Sequence, residues 1–241
     1  MVRLADVRVL SFDCYGTLID WETGIAEALA DFARRAGLSR EELLDLFARH
    51  ESAQQRATPR MRYAELLAHV LRRMAADAGI PVTDEEAQSF GRSVPDWPAF
   101  PDSPEALAYL KRHFRLVILS NVDRASFAGS ARRLGVDFDL VLTAEDIGSY
   151  KPDPRNFRAL AEAVREMGFA PEEHLHVAQS LFHDIVPAKR AGMRTAWIDR
   201  RAGRPGGATP PPPQAVEPDL RFLSLAGLAE AHRRELEEAG T

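Results

Sequence analysis

A chain of 241 residues with 45% hydrophobic and 28% charged side chains has enough apolar material for one α/β core with a sizeable insertion, or for two modest domains. A net charge of −5 gives no basis for nucleic-acid binding, and no apolar run nears the ~20 residues that span a bilayer. The single cysteine, Cys14, excludes an intrachain disulfide, and the start of the chain lacks the basic-then-apolar pattern of a secretory signal, so a cytoplasmic location is the default expectation.

Residues 7–12 form an apolar run of the kind that builds a parallel strand buried on both faces. The run ends on Asp13, and Gly16 then turns the chain. Ligands of open α/β sheets bind beyond the carboxyl ends of the strands, so Asp13 stands where a carboxylate can act as a covalent nucleophile. Residues 21–98 read as helices without a convincing strand. Ser39 with Glu42, and Thr83 with Glu86, have capping-box spacing, and Leu66, Leu67, Val70, Leu71 and Met74 repeat at helical spacing. This block is expected to be a helical cap inserted after the first strand, able to close over the strand ends and exclude water.

Beyond the cap, strands at residues 115–119, 140–143, 175–178 and 195–198, with a weaker one at 220–223, alternate with amphipathic stretches at 104–113, 126–134, 154–167 and 184–191. That alternation argues for crossover units and a parallel sheet. Residues 203–218, which include Pro210-Pro211-Pro212-Pro213, read as an extended loop, and a last helix covers roughly residues 225–238. The expected fold class is α/β, with a Rossmann-like core of residues 1–20 and 99–241 and a helical cap of residues 21–98.

Four polar positions fall at the expected strand ends: Asp13, the pair Ser120-Asn121, Lys151, and Asp184. Asp13 would attack a substrate carbon in line and form an ester, a step favoured by positioning. Thr17, in the turn after it, can donate to a substrate or nucleophile oxygen. Ser120 and the amides after it suit an anionic substrate oxygen, and Asn121 can hold a leaving group with its amide hydrogens. Lys151 keeps Asp13 ionised, and Asp184 pairs with Lys151 or orients the hydrolytic water. Tyr15, Ser180 and His183 complete the candidate substrate contacts.

In this order the nucleophile, hydroxyl/amide, lysine and acid resemble the haloacid dehalogenase superfamily over most of the chain. Phe12-Asp13-Cys14-Tyr15-Gly16-Thr17-Leu18 is similar to the first motif of its type II (L-2-haloacid) dehalogenases. In the superfamily's phosphatases, the resemblance implies, a second aspartate stands where this chain has Tyr15, and protonates the alkoxide. Tyrosine, with a pKa near ~10, is a poor donor for that step, whereas halide leaves without a proton. The resemblance also implies an acid at the Gln179 position of a magnesium site, and magnesium prefers hard oxygen ligands.

The expected reaction is therefore hydrolytic dehalogenation of a short 2-haloalkanoic acid, without metal or other cofactor. The alternatives are a magnesium-dependent phosphatase of a small metabolite, or a hydrolase of another activated carbon electrophile. The expected partner is a small-molecule substrate, with no nucleic acid and no membrane. The resemblance adds a possible homodimer. It also implies a halide-gripping arginine in the cap, an asparagine near Leu181 and a tryptophan near His183. Arg49, Arg56, Arg60 and Arg62 lie in the right region, but none sits in a matching local motif. Either the halide pocket is thus built differently, around His183 and Asn121, or the substrate is not a typical 2-haloacid.

Overall fold

The computed structural model describes residues 2–203, 208–209, 211–212 and 214–240. Of the loop expected at 203–218, residues 204–207, Pro210 and Pro213 lie outside the described residues.

Six parallel strands make one sheet, in the order β3-β2-β1-β4-β5-β6. They are β1 (Val9–Phe12), β2 (Arg115–Ser120), β3 (Leu140–Thr143), β4 (His174–Ala178), β5 (Arg194–Ile198) and β6 (Leu220–Phe222). β1 is buried along its whole length because it pairs with β2 on one side and β4 on the other. From β1 the order runs outward to β2 and β3 in one direction, and from β4 to β5 and β6 in the other. The switch point thus falls between β1 and β4, and the crevice beyond their carboxyl ends is where such a sheet binds ligands. The fold is the α/β, Rossmann-like parallel sheet expected from the alternation of apolar runs and helical stretches.

Five helices separate β1 from the rest of the sheet: α1 (Trp21–Ala28), α2 (Ala30–Ala36), α3 (Arg40–Ala57), α4 (Tyr63–Ala78) and α5 (Asp84–Gly91). Both capping boxes form, at Ser39/Glu42 on α3 and Thr83/Glu86 on α5. Leu43, Leu44 and Phe47 of α3 and Leu66, Leu67, Val70 and Leu71 of α4 are buried in an apolar cluster that also contains Phe12 and Trp21. The core therefore runs unbroken from the helices to one face of the sheet. Gly24 is needed at this junction, since a Cβ there would lie 2.2 Å from the Trp97 ring.

The sheet is flanked by α6 (Ser103–Leu110), α7 (Arg124–Leu134), α8 (Ala144–Ile147), α9 (Pro154–Glu166), α10 (Val186–Arg190) and α11 (Leu225–Ala239). One boundary differs in kind from the sequence expectation. The segment after β4 starts at Ser180, not Asp184, and its first turn, Leu181–Ile185, is π-helical. The Ser180 hydroxyl caps it by accepting from the His183 amide at 2.9 Å, and Ile185 N–H reaches back to the Ser180 carbonyl at 3.1 Å. The wider turn places Asp184 inside the helix and aims it back at the sheet. No described helix is long and apolar enough to cross a membrane.

Candidate active site

Asp13 follows β1 at the switch point, its amide donating to the Val177 carbonyl of β4 at 3.1 Å. The chain then folds tightly on itself. Leu18 and Ile19 N–H both reach the Cys14 carbonyl, and Gly16 takes a φ of +92° that an L side chain rarely adopts. This turn brings Thr17 back over Asp13. Thr17 Oγ1 donates to Asp13 Oδ2 at 2.7 Å and accepts from the Gln179 amide at 2.9 Å, so one hydroxyl ties the ends of β1 and β4 together. Arg200 clamps the turn from outside, donating twice to the Thr17 carbonyl (2.7 and 3.1 Å) and once to Asp102 (2.7 Å).

Lys151 sits in the loop before α9 and is 2% exposed. Its Nζ donates to Asp13 Oδ1 at 2.9 Å, Asp184 Oδ1 at 2.7 Å and the Leu119 carbonyl at 2.9 Å. An ammonium has three hydrogens, and here all three are engaged. Burial alone would push this lysine down, but the two carboxylates and their hydrogen bonds outweigh it and hold the ammonium above its usual value. Burial raises Asp184 too, yet Lys151 and His176 together bring it below the ordinary carboxylate range. Asp13 ends on the other side. Burial raises it and the Asp184 charge adds to that, while Lys151 and Thr17 oppose without prevailing. One buried cation thus serves two carboxylates, and Asp184 is the more firmly ionised.

Asn121 lines the cavity beside Asp13 and also braces the lysine loop. Its Nδ2 donates to the Lys151 carbonyl at 3.0 Å and its Oδ1 accepts from the Lys151 amide at 2.6 Å, so the side chain grips the lysine loop. Half of the amide's hydrogens are engaged there, and what it chiefly fixes is where Lys151 stands. Tyr15 presents its ring to the site, edge-on to Trp97, while its hydroxyl is hydrogen-bonded to Ser130 of α7 at 2.8 Å. Ser180 faces His183 Nδ1 at 3.2 Å, and burial pushes that imidazole down to about 4, leaving it neutral. His183 therefore carries no positive charge with which to hold halide.

Behind Asp184 lies a buried chain that was not among the sequence expectations. His176 Nε2 meets Asp184 Oδ1 at 3.0 Å, Ser11 Oγ meets His176 Nδ1 at 2.8 Å, and Ser11 Oγ meets His174 Nε2 at 2.7 Å. An ionised carboxylate only accepts, so His176 donates through Nε2. The Ser11 hydroxyl lies between His176 Nδ1 and His174 Nε2, with one hydrogen to give and lone pairs to accept. His174, pushed down to about 3 by burial and by His176, is neutral. A signal for it was present: His174 and His176 share one face of an otherwise apolar strand, with His176 opposite Ser11 in register and His174 opposite Val9.

A cavity of about 30 Å³ opens beside Asp13. Its walls include Asp13, Lys151 and Asp184 from the sheet side, with Trp21, Glu51 and Tyr63 from the helical block. Glu51 and Tyr63 were not among the expected contacts. None of Arg49, Arg56, Arg60 and Arg62 lines this cavity; Arg56 borders a neighbouring one of about 360 Å³ that Lys151 and His183 also reach. Among the described residues, buried side-chain oxygens around the site without a hydrogen-bond partner include Ser120 Oγ, Asp184 Oδ2, Glu51 Oε2 and Ser52 Oγ. Among the described residues no three His, Cys, Asp or Glu side chains form a set that could hold a metal ion.

A lysine-bridged pair of aspartates thus stands at the switch point of a parallel sheet. The family model described as haloacid dehalogenase-like hydrolase matches residues 7–192, and the chain belongs to that family. It is similar to a phosphoserine phosphatase from Thermus thermophilus, 36% identical over 61% of this chain; that match spans 57% of the phosphatase's own length. It is also similar to the (S)-2-haloacid dehalogenase 4A of Burkholderia cepacia, 28% identical over 83% of this chain and 86% of the relative. Among solved structures, a defluorinating L-2-haloacid dehalogenase superposes with a TM-score of 0.76 at 24% identity, covering 94% of this chain and 95% of its own, a likeness of fold.

Proposed function

We propose that this hydrolase cleaves the carbon–halogen bond of a short 2-haloalkanoic acid through an ester on Asp13. The observation that carries the reading is Tyr15: at the position where an alkoxide would need an acid, there is a tyrosyl whose hydroxyl is engaged by Ser130. Burial pushes that phenol well above its usual range, so it is a weaker donor still. Asp13 Oδ1 or Oδ2 attacks the carbon bearing the halogen, the C–O bond forms, and halide departs with the C–X electron pair. Water then attacks the ester carbonyl of Asp13. Asp184 Oδ2, buried and unpaired, is the acceptor available to hold that water. The products are a 2-hydroxy acid, halide and a proton, and one oxygen of Asp13 comes from solvent. Residues 21–98 act as the cap over a core of residues 1–20 and 99–241, keeping bulk water from the ester.

The residues do not fit a magnesium ion. Of the four carboxylate oxygens of Asp13 and Asp184, two accept from Lys151 and one from Thr17, and a neutral Gln179 follows β4. A single free oxygen is a poor offer to a cation that prefers several hard ligands. No step of the reaction is routed through a metal. The relationship to a 2-haloacid dehalogenase over most of the chain supports the reading, and the phosphoserine phosphatase is the relative it has to be tested against.

The test is halide release from fluoro-, chloro- and bromoacetate and from both 2-chloropropionate enantiomers, with and without chelator. A single turnover in heavy-oxygen water, followed by peptide mass analysis, accompanies it. Halide release insensitive to chelator, with label in the peptide carrying Asp13, is the expected result. Metal-dependent phosphate release from phosphate esters, with no halide and no label, would overturn it.

A further inference from the structure

Glu51 on α3 is 2% exposed and faces the same cavity as Asp13. Its two oxygens are unequal. Oε1 accepts from the Tyr63 hydroxyl at 2.8 Å and from Gln55 Nε2 at 3.0 Å. Oε2 is buried and has no partner among the described residues. An ionised carboxylate with one buried oxygen unpaired is costly, whereas the neutral acid, with its hydrogen on Oε2, becomes a donor waiting for an acceptor.

The cavity is short of free donors. A 2-haloacid brings in a carboxylate, all three Lys151 hydrogens are engaged, His183 is uncharged, and among the described residues no arginine lines the wall, which leaves one Asn121 hydrogen and the Ser120 hydroxyl. Asp13 and Asp184 already place two negative charges against one positive charge. We propose that Glu51 is a specificity-determining residue: as the neutral acid it donates its Oε2 hydrogen to the carboxylate of a short 2-haloacid. This rests on the dehalogenase reading of the site, and it replaces a cationic grip with a protonated one. An anion bound against Glu51 in turn keeps the proton on it, so binding and protonation are linked.

Burial pushes Glu51 up to about 7, with the Tyr63 hydrogen bond opposing, so free Glu51 is partly neutral near neutral pH and mostly ionised above it. The other titratable groups around the cavity are Tyr15, Tyr63 and Tyr150, all raised; Lys151, held charged; Asp184, held ionised; His183, pushed down to about 4; and Asp13, raised. Asp13 is the second raised carboxyl, and the variant Asp13→Asn separates its contribution from that of Glu51.

Propanoate, a short carboxylate with no leaving group, is the probe. Calorimetry in buffers of different ionisation enthalpy should show uptake of about one proton per propanoate at pH 8, with affinity falling roughly tenfold per pH unit above pH 7. Asp13→Asn keeps the uptake. Glu51→Gln, which retains a donor of similar shape, binds propanoate without uptake and with affinity independent of pH. Uptake that persists in Glu51→Gln, pH-independent or pH-enhanced binding to the wild type, or no binding at tens of millimolar would each overturn the proposal. Propanoate is not turned over, so a failed dehalogenase reading shows separately, as absent halide and an unlabelled Asp13.

Discussion

Replacing Glu51 with glutamine changes the stability of the protein in a way that depends on pH, and the sign follows from burial. In the native state the carboxyl is raised from its ordinary 4.5 to about 7. Between those two values the native protein holds a proton that the unfolded chain has released, so wild-type stability falls as pH rises across that window and levels off above it. Each tenfold difference in proton affinity between the two states is worth about 1.4 kcal/mol, giving roughly 3 kcal/mol in full. Glutamine keeps an acceptor for Tyr63 and Gln55 and never ionises. Glu51→Gln should exceed the wild type by about 1 kcal/mol near pH 5 and by about 3 kcal/mol near pH 8. Carboxylates elsewhere titrate alike in both proteins and cancel in the difference. Urea unfolding of the two proteins at both pH values, with linear extrapolation, measures it. A gap that is the same at both pH values would mean that Glu51 ionises normally, and burial could no longer be what keeps it neutral.

Three other substitutions probe the site. Lys151→Met leaves Asp13 and Asp184 as buried carboxylates without their cation, so it should cost about 3–5 kcal/mol of stability and abolish label incorporation at Asp13; retained turnover would refute the role of the ammonium. Thr17→Val removes the acceptor of the Gln179 amide and one of the hydrogen bonds that lower Asp13. It should cost about 1–3 kcal/mol, and the acid limb of the kcat/KM profile should move to higher pH, an unmoved limb counting against the contact. Ser11→Ala breaks the chain from His174 to Asp184 and leaves two buried ring nitrogens unpaired. A stability loss of about 1–3 kcal/mol by thermal or urea unfolding is expected, and a neutral substitution would contradict the part given to the Ser11 hydrogen bonds.

The strands, and the four polar positions beyond them, were legible because a parallel sheet writes itself into sequence simply. A buried strand is an apolar run, and the first polar residue after it stands at the carboxyl edge. Asp13 and Ser120 follow directly from that rule, and Lys151 and Asp184 from the motif order. What those side chains bond to was less accessible. Asn121 holds the lysine loop because a chain segment 30 positions away folds against it, and the Tyr15 hydroxyl meets Ser130 across 115 positions. No local spacing encodes either contact. The π-helical turn after β4 likewise depends on how Ser180 satisfies the amides there.

Glu51 is the instructive case, since its signal was present but masked by charge. On α3 the buried stripe runs through Leu43, Leu44 and Phe47, and the next positions at the same spacing are Glu51, Gln54 and Gln55. The arginines of this helix, Arg40, Arg49 and Arg56, fall off that stripe and are exposed. A carboxyl on the apolar stripe of α3 is held against its preference for water, and the neutral form is the one that burial favours. With two aspartates already sharing one ammonium, an arriving carboxylate would face three negative neighbours if Glu51 were ionised. With Glu51 neutral it faces a hydrogen-bond donor in place of the third. On the proposed reading the protonation of Glu51 thus decides whether the cavity repels an acid or receives it, and the lysine, fully engaged by Asp13, Asp184 and the Leu119 carbonyl, cannot take over that task.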